Sequence, residues 1–440
     1  MPLPERYKKA VPEIVRIWET EGTFNSQGKI WLAQCEVRHE IEGFPTEDGL
    51  EQISQALVLN LEDLDYLSIP EGHETNRYLR LIQRRLPAEL GNLLHQGNTS
   101  RDVLDSATSL QILDSLDVVE EEFQELSSRI LSLADSHKMT LQIARTHGQH
   151  AVPQTFGRKV LNWYEGNEES IKRIGRAREQ IAYGKCSGEV GTNIFISPEL
   201  EERALAKLGL KTEPAPTQVI PRYRHAEVVG LMAVNSVELA NMATNIRTLA
   251  RTEIGEVREP FDENSQQGSS AMPHKRNPEL SERIVGLSRR VKSAAMEALD
   301  TVVIWDEGDM CNSSIERFTF YDAFGCLLYQ ARLADAVIGS LHVDVERMTV
   351  NVNLTHGAIY SSRLLNALLE TKQLPRTEIY DLVKGLALKA MNEKTNLKQL
   401  AANNETIAQL LNPETIGELF EPDFYLKNIN TAYKRLGLDI

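Results

Sequence analysis

The chain has 440 residues, 41% apolar and 25% charged, the balance of a soluble globular enzyme with room for a large core. Its 63 acidic and 48 basic side chains leave a net charge of −15, which excludes a protein that coats nucleic acid with a basic field. Any anionic ligand then needs a locally basic pocket set against that field.

Cys35, Cys186, Cys311 and Cys326 are scattered without a CxxC pair, so they read as reduced thiols of a cytoplasmic protein, with no disulfide framework or zinc site. The start, Met1-Pro2-Leu3-Pro4-Glu5-Arg6, has no apolar signal segment. No run approaches the length of a membrane span, so no membrane partner is expected.

In chain order, residues 1–97 read as shorter helical segments broken by glycine and proline. From Ser109 to His137, apolar residues recur in steps of three and four (Leu110, Leu113, Leu116, Val119, Phe123, Leu126, Ile130, Leu133), predicting one long amphipathic helix. The proline-free stretch from Gln154 opens helically with Val160, Trp163 and Tyr164. Arg224 to Val257 predicts another long helix through Val228, Leu231, Val234, Leu239, Met242, Ile246 and Leu249. Glu279 to Leu374 contains no proline and has room for two more. Pro153, Pro198, Pro214, Pro216, Pro221, Pro260, Pro273 and Pro278 mark connections. The expected fold is all-α: a small N-terminal helical domain (1–97), a central long-helix bundle (98–348) and a small C-terminal helical domain (349–440).

Four polar segments interrupt these patterns in loop-like context. Gly268-Ser269-Ser270-Ala271-Met272-Pro273-His274-Lys275-Arg276-Asn277-Pro278 combines hydroxyls, cations and an amide, the donors an anionic small molecule requires. The others are His95 to Asp102, Arg145 to His150, and Thr217-Gln218 followed by Pro221-Arg222-Tyr223-Arg224-His225. His147 and His150 could pair on a metal, but no third ligand is evident. For His150 and His225, an ordinary hydrogen-bonded histidine is the default. Thr99-Ser100 before a helix is both an N-cap and a carboxylate site. There is no GxGxxG, P-loop or zinc motif, so no cofactor or metal is expected. Hydroxyl, imidazole, ammonium and guanidinium suit proton abstraction beside a carboxylate, with fixed cations stabilising the carbanion.

In order and content these segments resemble the fumarase/aspartase superfamily, and the Pro273-His274-Lys275-Arg276-Asn277-Pro278 ending resembles its adenylosuccinate lyase branch. Arg6-Tyr7, Pro12-Glu13 and Trp18 resemble that family's N-terminal signature, and Trp305 to Arg317 its late phosphate-binding segment. The resemblance spans the first three-quarters of the chain.

It implies a homotetramer with a twenty-helix core and active sites shared between subunits. The implied substrate is a succinylated purine nucleotide, a small anion, and the implied reaction β-elimination of fumarate. Carried over by position, Ser269 is the general base and His147 the general acid, with Glu282 pairing that histidine. Lys275 and Asn277 stabilise the carboxylate that gains charge, and Arg283, Thr99, Ser100 and Thr146 hold succinyl carboxylates. His73 is a second active-site histidine; Glu74, beside it, and Gln218 are substrate contacts. Arg6, Tyr7, Ser313 and Arg317 bind the nucleotide phosphate, and His95 lies near the site.

Three positions depart from the family. Asp306 stands where histidine is usual, Gly308 where a phosphate-binding arginine is usual, and Glu74 where aspartate is usual. Asp306 and Asp309 add negative charge at that end. A lyase releasing fumarate from a different N-succinyl compound therefore stays open, as does a catalytically silent helical scaffold.

Overall fold

The computed structural model describes residues 4–69, 72–261 and 271–438. Among these, short helices come first: α1 (Glu5–Lys8), α2 (Pro12–Trp18), α3 (Thr20–Glu42), α4 (Glu47–Ala56), α5 (Leu61–Leu67), α6 (Glu74–Gln83) and α7 (Ala88–Gly91). Long helices follow: α8 (Ser100–Ser136), then, after a hairpin of β1 (Leu141–Thr146) and β2 (Gln149–Thr155), α9 (Phe156–Ile181). Next are β3 (Tyr183–Gly184), α10 (Pro198–Lys207), β4 (Lys211–Thr212), α11 (Tyr223–Leu249), β5 (Val257–Arg258), α12 (Glu279–Asp300) and α13 (Cys311–Gly339). The chain closes with β6 (His342–Val343), α14 (Val345–Asn353), α15 (Ser361–Glu370), α16 (Arg376–Glu393) and shorter helical turns. The all-α class stands; β-structure among the described residues is confined to three two-stranded sheets.

Helix α8 forms where the apolar stripe predicts it and starts earlier, at Ser100. Val103, Leu116, Val119, Phe123, Leu126 and Ile130 are all fully buried along it.

Two expectations are corrected. The first hundred residues include α3, a 23-residue helix. Gly22 and Gly28 did not break it; they permit close approach, and a Cβ at Gly28 would lie 2.7 Å from the Tyr78 hydroxyl. Residues 145–150 are no loop but the tip of the β1–β2 hairpin, in which Pro153 pairs with Ile143. Proline is tolerated there because a two-stranded ribbon leaves one edge of each strand unpaired.

The chain divides into two compact units. The first comprises residues 1–125, 167–241 and 283–334, and the second 126–166, 242–282 and 335–440. A core in the first unit gathers Phe24, Trp31, Ile53, Tyr78, Val103, Leu205 and neighbours. A core in the second gathers Ile143, Leu364, Ile379, Leu397, Ile407 and Phe420. No helix of the described residues is long and apolar enough to cross a membrane.

Candidate active site

In the first unit the N-terminus of α8 carries Thr99 and Ser100. The Thr99 amide donates to Asp102 Oδ2 at 2.7 Å, which closes the first turn. Asp102 is fully buried. It also accepts from the amides of Ser187 (3.1 Å) and Gly188 (3.2 Å) and pairs with the buried ammonium of Lys185. This polar core fixes the helix start on the 185–188 segment. Nearby, the side-chain amides of Gln34 and Asn98 bond reciprocally at 2.9 and 3.0 Å.

His95 adopts a left-handed backbone (φ 64°). Its Nδ1 accepts from the Trp31 indole N–H at 3.3 Å, so the ring proton sits on Nε2. Burial, reinforced by His73, pushes its pKa down to about 4. His73 stands exposed at the N-cap of α6.

Ser313 and Arg317 are four residues apart on α13 and share a face. The Ser313 hydroxyl donates to the Met310 carbonyl at 3.3 Å. Arg317 donates from both terminal nitrogens to the Glu74 carboxylate, at 3.1 and 3.0 Å. Two further site residues meet through a residue that sequence reasoning missed. The buried Tyr329 sets its ring 5.1 Å from that of Tyr7, tilted at 47°, and its hydroxyl accepts from Arg283 at 3.2 Å. Arg6 is exposed on α1.

The 305–310 segment is built around Gly308. The Gln218 amide donates to the Glu307 carbonyl at 3.2 Å. A Cβ at Gly308 would stand 2.7 Å from Gln218 Oε1 and 3.2 Å from its Cβ. An arginine there requires Gln218 to swing aside. The Asp309 carboxylate accepts from the amides of Trp305 (3.1 Å) and Cys311 (2.7 Å), and these bonds hold it below the usual carboxylate range. Its negative charge therefore serves the turn into α13.

Beneath these segments, the buried Arg222 donates to Asp105 at 2.8 and 2.9 Å and to Glu316 at 2.6 Å. Asp105 also accepts from the Ile220 amide at 2.9 Å. The guanidinium thus joins α8, the Gln218 segment and α13. It holds the Asp105 carboxyl well below the ordinary range, against the opposing effect of burial. The default expected for His225 fails at one atom. The ring is buried 5.6 Å from that of Phe320, and its Nδ1 has no hydrogen-bond partner among the described residues. Burial, with Arg222 beside it, pushes its pKa down to about 3.

In the second unit, Thr146 and Gln149 pair around a two-residue turn, His147-Gly148. Both turn residues have positive φ, 53° and 72°, the signature of a type I′ hairpin. Glycine takes that conformation freely and asparagine is the usual first residue. A histidine there is a local compromise that presents the imidazole at an exposed tip. His150 Nδ1, like that of His225, is unpartnered among the described residues, and burial lowers the ring's pKa.

Lys275 closes a turn through its amide to the Met272 carbonyl at 3.0 Å and is exposed. The Asn277 carbonyl accepts from the Glu279 amide at 2.9 Å as α12 begins. Glu282 sits in the first turn of α12, 3.9 Å from Arg247. Among the described residues, no hydrogen bond or ion pair joins Glu282 to His147. Ser269 lies outside the described residues.

Sequence reasoning missed Lys185, Asp105 and Glu316 because their partners are distant in sequence. Lys185 gave one faint signal: a lone charge in an otherwise small, uncharged run, Gly184 to Gly188.

A family model described as "Lyase" matches residues 5–293, and one described as "Adenylosuccinate lyase C-terminus" matches residues 357–436. The likeness thus continues past Arg317 into the C-terminal segment. Adenylosuccinate lyase of Thermotoga maritima is 36% identical over 431 residues, 98% of this chain and 99% of that relative. Adenylosuccinate lyase of Bacillus subtilis is 35% identical over 434 residues, 99% of both chains. Among solved structures, fumarate lyase from Mesorhizobium sp. BNC1 superposes with a TM-score of 0.87 at 23% identity, covering 97% of each chain. With matches of this length at this identity, the chain belongs to the adenylosuccinate lyase family of the fumarase/aspartase superfamily.

Proposed function

We propose that this lyase eliminates fumarate from adenylosuccinate, leaving AMP, and from succinylaminoimidazolecarboxamide ribotide, leaving the carboxamide ribotide. The observation that carries the reading is the full-length match to adenylosuccinate lyases at 35–36% identity. Both reactions break one C–N bond beside one succinyl group. A base removes a proton from the β-carbon, the electron pair is held as an aci-carboxylate, and the leaving nitrogen takes a proton.

In this reading Ser269 is the base and His147 protonates the nitrogen. Lys275 and Asn277 stabilise the charge-bearing carboxylate, while Thr99, Ser100, Thr146 and Arg283 hold the succinyl group. Gln218 and His73 contact substrate, and Arg6, Tyr7, Ser313 and Arg317 take the phosphate. The exposed hairpin tip supports the role of His147, because a side chain there can reach a ligand. The Glu282–His147 pairing belongs to an assembly in which copies share sites, and a homotetramer is proposed on that ground. The three helical domains, 1–97, 98–348 and 349–440, and a cytoplasmic location complete the proposal.

Gly308 favours one alternative, a lyase acting on an N-succinyl compound without phosphate. Ser269→Ala tests the base. The reading requires loss of turnover with an unchanged circular dichroism spectrum; wild-type turnover removes Ser269 from that role.

A further inference from the structure

Two carboxylates three residues apart, Glu256 and Glu259, bracket β5 and hold different elements of the second unit. Glu256 is fully buried. It accepts from Gln142 Nε2 at 2.8 Å, from Arg145 at 3.2 and 2.5 Å, and from Asn351 Nδ2 at 2.8 Å. Gln142 and Arg145 are an odd number of residues apart, so a regular strand would aim them at opposite faces. The register shifts between Ile143 and Arg145, and this irregularity brings both side chains to one carboxylate. Arg145 lies two residues before His147, on the strand that leads into the strained turn. Asn351, from α14, also donates to the Ile254 carbonyl at 2.9 Å, so the carboxylate is clamped from a third element.

Glu259 acts on α12. Its Oε2 accepts from the Leu280 amide at 3.0 Å and its Oε1 from the Ser281 amide at 2.7 Å. The residue before α12 is Pro278, whose side chain has no oxygen to cap free amides. Glu259 fills that role from 21 residues upstream and adds negative charge at the positive end of the helix. Glu282 occupies the same first turn.

We propose that Glu256 and Glu259 are positioning residues for the elimination: Glu256 sets the hairpin that presents His147, and Glu259 sets the helical turn that presents Glu282. The inference rests on the reading of His147 as acid and Glu282 as its partner. A core carboxylate with four donors is a rigid, directional joint, whereas apolar side chains of the same volume would stabilise the site without fixing direction. Neither carboxylate touches substrate in this assignment.

The test uses the full chain carrying Glu256→Gln or Glu259→Gln. Glu256→Gln keeps the volume but turns an amide NH2 toward Arg145. Expected is a fall in kcat of about 10²-fold at nearly constant KM, the scale of a small misplacement. Amide hydrogen exchange should speed up in residues 141–155 and stay at the wild-type rate in 279–284. Glu259→Gln keeps one acceptor. It should speed exchange in 279–284 alone and lower kcat by about tenfold, the scale of one lost cap bond.

Wild-type kcat in Glu256→Gln, or a loss that falls on KM and not on kcat, would overturn the proposal, as would exchange that quickens evenly over the whole chain. Should that variant not fold, Asn351→Ala removes one donor and keeps the carboxylate. It must then show the same localised exchange, and its absence overturns the proposal. A wild-type protein that releases no fumarate overturns the reaction reading instead, and the exchange patterns still decide whether each carboxylate holds its element.

Discussion

Glu74 and Arg317 are 243 residues apart in sequence and meet through two hydrogen bonds of 3.0 and 3.1 Å. Both were read from sequence as substrate contacts, and in the folded chain the carboxylate occupies one edge of the guanidinium. A phosphate approaching Arg317 competes with that carboxylate or uses the remaining donors. Glu74→Gln should therefore tighten AMP binding by about tenfold, close to the net effect of one charge-assisted hydrogen bond. Calorimetry reads this directly, and an unchanged or weaker affinity would mean that Glu74 presents Arg317 rather than competing for it.

Gly308 and Gln218 form a second coupled pair. Because a Cβ at 308 meets Gln218 Oε1 at 2.7 Å, Gly308→Ala should displace that side chain and raise KM several-fold. In a Gln218→Ala background the same substitution should change nothing further. A double-mutant cycle with no coupling energy would show that the two residues act independently.

His147→Asn separates chemistry from folding. Asparagine suits the positive φ of the turn, so the hairpin should keep its thermal stability. Turnover should fall by about 10²–10⁴-fold, the range for loss of a general acid. A melting temperature well below wild type would mean that the imidazole also holds the hairpin.

Thr99-Ser100 and Asp102 carry a capping signal that marks the start of α8, whereas the apolar stripe alone, read from Ser109, places the helix nine residues too late. The hairpin was not legible. Its strand alternation is interrupted by the irregularity after Ile143 and by Pro153, so its polar tip read as a loop. Helix α3 was obscured by Gly22 and Gly28, which lower helix propensity locally while the tertiary approach of Tyr78 requires a missing side chain. The ion pairs beneath the site were illegible for a different reason. Lys185 and Asp102 lie 83 residues apart, and no local pattern records which charges a fold will bury together.

That pair carries a stability prediction. Lys185→Met leaves the buried Asp102 charge without its cation. Breaking a buried pair from one side costs about 3–5 kcal/mol. Urea unfolding should show a loss of this size, with the slope unchanged. Burial already pushes the Asp102 pKa up to about 6, so a loss under 1 kcal/mol would mean that Asp102 takes up a proton when its cation is gone.

Stability should also fall with acid. The pKa of His225 is depressed to about 3, so its neutral form contributes fully above the unfolded value of about 6.5. That contribution is lost as pH falls from 6.5 toward 3, because the unfolded chain binds a proton the folded chain refuses. His95, depressed to about 4, acts in the same direction. His225→Gln should flatten the denaturation midpoint between pH 7 and pH 5; a slope as steep as wild type would assign the acid sensitivity to other groups.

The most direct test is to give purified protein adenylosuccinate and follow ultraviolet absorbance while quantifying fumarate. The account predicts AMP and fumarate in equal amounts, with Gly308 and the Glu74–Arg317 pair in place. A folded protein that leaves adenylosuccinate intact while releasing fumarate from a succinyl amine without phosphate would contradict it.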